Sequence, residues 1–246
     1  MWGKDGDIET GGGAGRSQNG ELYPNMLENP QFRWGFIRKV YAILSLQFLL
    51  TAAVAALVVF CPPIKDFMTH TRAGLAIYIL MIIMPFIVLC ILSCVHKRFP
   101  LNFFLLGLFT IGMAFALGMM CAFTKGKIVL EAAILTSVVV VSLTVFTFWA
   151  ARRGMDFNFL GPFLFCSLML LFAFGLLQIL WPLGKLSEAI YAGLAAFLFC
   201  GYLIYDTDNV IKRFGYDEYI WASVSLYIDI VNIFSNLLAL LRVMDG

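Results

Sequence analysis

Charge is scarce in this chain. Lys, Arg, Asp and Glu make up 13% of its residues, about half of the roughly 25% found in a soluble domain, while 61% are hydrophobic. So few charges cannot cover a water-facing surface, and a soluble fold is excluded. Histidine is nearly missing, with two in 246 residues. The cysteines Cys61, Cys90, Cys94, Cys121, Cys166 and Cys200 show no paired metal spacing. Cys90 and Cys94 stand one helical turn apart, but no histidine or second cysteine pair completes a zinc set; the six read as small core or lipid-facing residues. A phosphate-binding glycine loop, a serine elbow and a His-Glu metal helix are all missing. The expectation is a protein without cofactor that is not an enzyme. The net charge of +2 offers no basic surface to nucleic acid.

What the chain has instead is apolar runs of spanning length, about 20 residues each. They are Phe36–Phe60, Gly74–Val95, Asn102–Phe123, Val129–Ala151, Leu160–Trp181, Ala189–Tyr205 and Tyr219–Leu241. The sixth is short and is expected to continue through Asp206 toward Asn209. Linkers are brief and carry the punctuation, as in Pro62-Pro63, Lys97-Arg98-Phe99-Pro100 and Arg152-Arg153-Gly154, leaving no room for a second folded domain. The fold class is therefore an all-α integral membrane protein with seven transmembrane helices, over 34–246. Residues 1–33, with Gly11-Gly12-Gly13-Ala14-Gly15 and scattered polar residues, hold too little apolar surface to order themselves and are expected to form a flexible tail. No apolar core follows Lys4 early enough for a signal peptide. Trp34 and Tyr41 are placed to anchor the first span at headgroup level.

Basic residues favour one side, which collects Arg33, Arg38, Lys39, Lys97, Arg98, Arg152, Arg153, Lys212 and Arg213. Lys65, Arg72, Lys125, Lys127, Lys185 and Arg242 fall on the other. The positive-inside rule puts the richer side, and with it the N-terminus, in the cytosol. Seven spans then carry the C-terminus across, unless the last segment dips in and returns. Insertion at the endoplasmic reticulum suits this layout; Golgi, vacuolar and plasma membranes also fit.

Within the last run sits Asp229. A carboxylate at mid-depth costs at least ~2.5–3.5 kcal/mol on the insertion scale, so it should not face lipid. Ser225, Asp229, Asn232 and Asn236 are spaced i, i+4, i+7, i+11 and fall within about 60° of one helix face. Such a stripe must face protein or water. It is either hydrogen-bond glue between helices, worth ~0.6 kcal/mol per contact, or the lining of a hydrated pathway. On the sixth span Tyr202, Asp206, Asn209 and Arg213 repeat the same spacing. If the two spans form a hairpin turning within Gly215-Tyr216-Asp217-Glu218, Asp206 and Asp229 lie at similar depth. The alternative for Asp206 is a wet position near the interface, paired with Arg213.

Two carboxylates in contact at low dielectric cannot easily both ionise. They titrate as a coupled pair, share a proton over some pH range, and repel once the last proton leaves. This makes a latch between helices, and a hard oxygen site for Ca²⁺. Two carboxylates fall short of the six to eight oxygens of a tight cage, so the expected interaction is weak and transient. Small-xxx-small pairs, Ala52/Ala56, Ala114/Gly118, Ala189/Gly193 and Ala192/Ala196, let helices approach closely. Pro85, inside the second span, reads as a static kink or a hinge.

Several segments resemble a known family. Glu21-Leu22-Tyr23-Pro24 and Phe32-Arg33-Trp34-Gly35-Phe36-Ile37-Arg38-Lys39-Val40-Tyr41 are similar to the entry segment of plant Lifeguard proteins. Ile204-Tyr205-Asp206-Thr207, Asp217-Glu218-Tyr219-Ile220-Trp221-Ala222 and the stretch Ser225–Phe234 resemble the signature of the transmembrane Bax inhibitor motif (Lifeguard/Bax inhibitor) family. The resemblance implies a last helix wrapped by the other six, a pH-dependent Ca²⁺ leak from intracellular stores, and suppression of cell death. It maps the family's aspartate pair onto Asp206 and Asp229. In a bacterial relative an arginine from the end of the second helix stands near the pair; the comparable stretch here is Cys94-Val95-His96-Lys97-Arg98, with Arg98 a basic candidate and Arg213 another. Glu131 resembles a family position near the opposite mouth, and reads equally as an interfacial charge at a helix start. Implied partners are Ca²⁺, protons, the lipid bilayer and membrane proteins of cell-death control. The rival readings are a non-conducting scaffold and a Ca²⁺/H⁺ exchanger. An intramembrane aspartyl protease is disfavoured, because Leu226-Tyr227-Ile228 precedes Asp229 where those enzymes carry Gly-x-Gly.

Overall fold

The computed structural model describes residues 22–24, 26, 29–95, 97–181 and 184–245. Regular structure among them is helical throughout: α1 (Pro30–Phe60), α2 (Pro62–His70), α3 (Arg72–Val95), α4 (Leu101–Ala122), α5 (Gly126–Arg152), α6 (Leu160–Leu180), α7 (Lys185–Lys212) and α8 (Tyr219–Asp245). All but the nine-residue α2 are long and apolar enough to cross a bilayer, which gives seven candidate spans among the described residues. These are the spans that the apolar runs predict. The short sixth run becomes the 28-residue α7, because its polar ends, Glu188 and Asp206 to Lys212, stay helical.

Two boundaries differ from the sequence reading. Most of the expected tail lies outside the described residues, but α1 already begins at Pro30, with the Asn29 side chain accepting from the Gln31 N–H at 3.0 Å. Asn-Pro is a strong helix start: the side chain caps a free N–H, and proline lacks one at a position where none is needed. Leu22 and Met26 are buried just before it. Pro62-Pro63, read as linker punctuation, open α2 instead. Two prolines are tolerated in a first turn for the same reason. The α2 backbone then lies so close to α3 that a Cβ on Gly74 would sit 2.0 Å from the Phe67 carbonyl oxygen.

Contacts between loops fix which ends lie together. At the basic end Arg33 Nη1 donates to the Phe214 carbonyl at 2.7 Å, and Lys97 bridges Asp217 and Glu218 at 3.0 and 3.1 Å. Arg213 pairs with Asp156 of the α5–α6 loop. At the opposite end Lys125 meets Asp245 at 2.5 Å, and Gln178 donates to Ser187 at 2.9 Å. Helix α8 runs unbroken between these ends, so the last segment does not dip and return.

Helix α8 packs directly on α1, α4, α5 and α7, while α3 rests mainly on α4 and α6 on α7. The last helix is thus central, with four principal neighbours rather than six. Its buried residues, among them Ile220, Val224, Tyr227, Val231 and Ile233, cover more than half of the helix's circumference. Tyr227 hydrogen-bonds Thr51 at 2.8 Å and lies between the Phe48 and Phe109 rings. Gln47 donates to Thr110 at 3.2 Å nearby. These bonds satisfy polar groups that lipid could not. The outward faces are apolar: Phe86 is 66% exposed, Leu170 75% and Phe197 78%, a surface suited to acyl chains and not to water.

Candidate functional site

The α7–α8 hairpin sets the depth of everything on it. Helix α7 ends where the Arg213 and Phe214 N–H groups both return to the Asn209 carbonyl. Glu218 then closes the turn, its carboxylate accepting from the Gly215 N–H at 3.0 Å and its carbonyl from the Ala222 N–H. With so short a turn, residues equidistant from it come level. Asp206 and Asp229 do so, and their carboxyl groups are close enough to interact directly. Asp229 is 3% exposed, and its Oδ2 makes no hydrogen bond among the described residues. Asp206 also accepts from Asn209 Nδ2 at 3.4 Å. Both face a cavity of about 200 Å³ lined by Tyr202, Ser225, Ile228, Phe199 and Leu168. That exceeds many times the roughly 15 Å³ a single water needs. Among the described residues no third carboxylate, histidine or cysteine joins the pair, which therefore offers a cation too few oxygens for a tight site.

The other sequence candidates fall into three groups. Tyr202 and Ser225 share the cavity with the pair. Asn209 and Arg213 connect to it from the basic end: Arg213 Nη1 donates to Asn209 Oδ1 at 2.6 Å, and Asn209 donates onward to Asp206. Asn232 and Asn236 lie further along α8, and each amide donates to its own helix, at Ile228 and Asn232 carbonyls respectively. Among the described residues neither is bonded across to a neighbouring helix, which is what interhelical glue requires. Asn236 lines a second cavity, of about 770 Å³, at the opposite end. Glu131 is exposed and pairs with Lys127 at 3.6 Å, as an interfacial charge would. Arg98 is exposed on the α3–α4 loop, away from the pair, while its neighbour Lys97 holds the α7–α8 turn.

The second aspartate of α7 escaped the sequence reading. Asp208 is wholly buried and meets Lys212 Nζ at 2.5 Å, Arg213 Nη2 at 3.7 Å and the Phe157 N–H at 3.3 Å. Lys212 also donates to the Met155 carbonyl. The α5–α6 loop is thus clamped onto α7, and Gly154 with φ 79° lets the chain turn sharply into it. Burial opposes ionisation of Asp156, but the Asn158 N–H and Arg213 outweigh it and hold its carboxyl below the usual carboxylate range. The available signal was the i, i+4 spacing of Asp208 and Lys212. Arg33, read as part of an interfacial lead-in, is also buried, with its guanidinium 5.0 Å from the Tyr216 ring centre.

A family model described as inhibitor of apoptosis-promoting Bax1 matches residues 33–246. The chain belongs to this Bax inhibitor family. It is 59% identical over 236 residues to protein Lifeguard 4 of Arabidopsis thaliana, covering 96% of this chain and 94% of that one. Against Lifeguard 2 of the same plant the identity is 56% over the full length of both. A Golgi anti-apoptotic protein of Vaccinia virus (strain Lister) is 36% identical over 86% of each chain. The Lifeguard resemblance of the two C-terminal motifs therefore extends over nearly the whole molecule. This Bax inhibitor family protein is a multi-pass membrane protein whose aspartate pair occupies the hairpin at its centre.

Proposed function

We propose that this protein is a pH-sensitive Ca²⁺ leak channel of an intracellular membrane, gated by the Asp206–Asp229 pair, and that through this leak it suppresses programmed cell death. The observation that carries the reading is the close approach of two carboxyls inside the bundle, level with each other and facing one cavity. With one shared proton the contact attracts and the hairpin stays closed. With both groups ionised, repulsion spreads α7 from α8 and presents two negative charges to a passing cation. Acidification on the side with access therefore closes the path. The Golgi anti-apoptotic relative supports a role in cell death, and the richer basic end supports a cytosolic N-terminus. The endoplasmic reticulum is the proposed location. Bilayer lipid, Ca²⁺ and protons are the proposed partners, with membrane proteins of cell-death control beyond them; no catalysis is involved.

Purified protein in liposomes tests this. Ca²⁺ flux should exceed that of empty vesicles and fall as the medium is acidified. Flux that rises steadily on acidification would refute the closing latch. No flux at any pH, combined with retained protection of cells, points to a scaffold. Protons moving in fixed ratio against Ca²⁺, measured in the same vesicles, point to an exchanger.

A further inference from the structure

Helix α6 touches the bundle mainly through α7, at both of its ends. At the basic end its Leu164 is buried, the sole residue of this helix to be so. Gly161 lies so close to Tyr205 that a Cβ would come within 3.0 Å of its hydroxyl. The preceding loop is clamped by Asp208 and Arg213. At the opposite end Gln178 donates to Ser187 at 2.9 Å and a Cβ on Gly175 would come within 3.0 Å of the Tyr191 hydroxyl; between and beside these contacts two cavities occupy the seam of α6 with α7 and α8. The first, about 200 Å³, holds the aspartate pair with Ser225 of α8 and Leu168 of α6. The second, about 770 Å³, lies at the opposite end between Leu176 and Gln178 of α6, Glu188 and Tyr191 of α7, and Asn236 of α8.

The two cavities lie on one line. On α8, Ser225 and Asp229 border the first and Asn236 the second, at i, i+4 and i+11 on a single face. Half-buried Asn232 stands between them on the same face, bonded to its own helix. On α6, Leu168, Leu176 and Ile179 share a face in the same way. A polar stripe flanked by cavities, beside the spanning helix with the fewest buried residues, is where water can enter a bundle most cheaply.

We infer that the half of the ion route beyond the aspartate pair follows this α6–α7–α8 seam, that Gln178, Glu188 and Asn236 form its mouth, and that α6 is its outer wall. The mouth takes a hydrated divalent cation. Its oxygen-bearing side chains suit a hard ion, and Lys185 beside Glu188 keeps the site from trapping it. The inference rests on the reading of the protein as a Ca²⁺ conductor, but its test separates the two. Glu188→Gln should lower Ca²⁺ flux in liposomes at low Ca²⁺ and lose its effect near saturation. Leu176→Trp, which fills the seam, should reduce flux several-fold at all concentrations. Leu170→Trp, on the lipid-facing side of α6, should conduct like the parent. Independently of flux, Asn236→Cys should react with a charged, membrane-impermeant thiol reagent above the parent's background, and Leu170→Cys should not. Parental flux in well-folded Leu176→Trp, or Asn236→Cys no more reactive than Leu170→Cys, overturns the seam. If the parent conducts no Ca²⁺ the channel reading fails, and the labelling still decides whether the seam holds water.

Discussion

Asp206 and Asp208 stand two residues apart on α7 and serve different neighbours. Asp206 turns to α8 and its partner carboxyl; Asp208 turns to the α5–α6 loop and to Lys212. Losing one partner of a buried pair leaves a charge uncompensated, so Asp208→Asn should destabilise the protein by about 3 kcal/mol. Asp206→Asn, which keeps a hydrogen-bonding group beside Asp229, should cost less. Thermal unfolding in detergent ranks the two, and the reverse order would contradict these roles. The aspartate pair was legible in the sequence because depth alone defines it: equal distance from one turn requires no knowledge of other helices. Asp208 was not, because its partners Phe157 and Met155 lie on a loop that only the packing of α6 brings near. Arg98 was legible as a basic residue but not as an exposed one, since the neighbouring Lys97 takes the contacts at the turn.

At the level of helices, the apolar runs gave the order and number of spans, since length and hydropathy are local. Which small residues meet is not local. Ala114 and Gly118 do lie in a tight contact, where a Gly118 Cβ would come within 3.0 Å of the Ala55 backbone. Ala52, in contrast, is exposed on α1, although its spacing to Ala56 is the same. Pro85 is buried against Gly112 of α4, whose added Cβ would lie 2.7 Å from the proline ring. That packing sets the proline ring directly against the α4 backbone. Gly112→Ala should therefore destabilise by about 1–3 kcal/mol through overpacking. Gly35→Ala, with nothing within 4 Å of its Cβ, should stabilise α1 by up to about 1 kcal/mol. Melting temperatures of both variants in one detergent check the contrast, and a neutral Gly112→Ala would show that α3 is free to shift.

Across the whole molecule, the basic end is tied together through the α7–α8 turn. Arg33, Lys97 and Arg213 join α1, the α3–α4 loop and the α5–α6 loop to the α7–α8 turn. The Gly215 N–H and then Lys97 hold the Glu218 carboxyl below its usual range, while Asp217 and Glu218 push the Lys97 ammonium above its own. A carboxylate with a depressed folded value contributes fully above its ordinary range, near 4.5 for Glu218, and loses that contribution as pH falls through the folded value. The stability difference between the parent and Glu218→Gln should accordingly be largest at neutral pH, begin to shrink as pH falls below the ordinary glutamate value of 4.5, and vanish only below the depressed folded value. It should be small throughout, since these groups are partly exposed and screened. A difference that grew on acidification would place the shift in the opposite direction.

The central claim, that the Asp206–Asp229 pair sets the gate, is tested most directly by the pH profile of Ca²⁺ flux in proteoliposomes. Parent, Asp206→Asn and Asp229→Asn are compared in one lipid at one Ca²⁺ gradient. The account predicts that the parent closes on acidification, and that each single variant, lacking the shared proton, loses this closure or moves its midpoint. Both variants retaining the parent's profile while folded would contradict it.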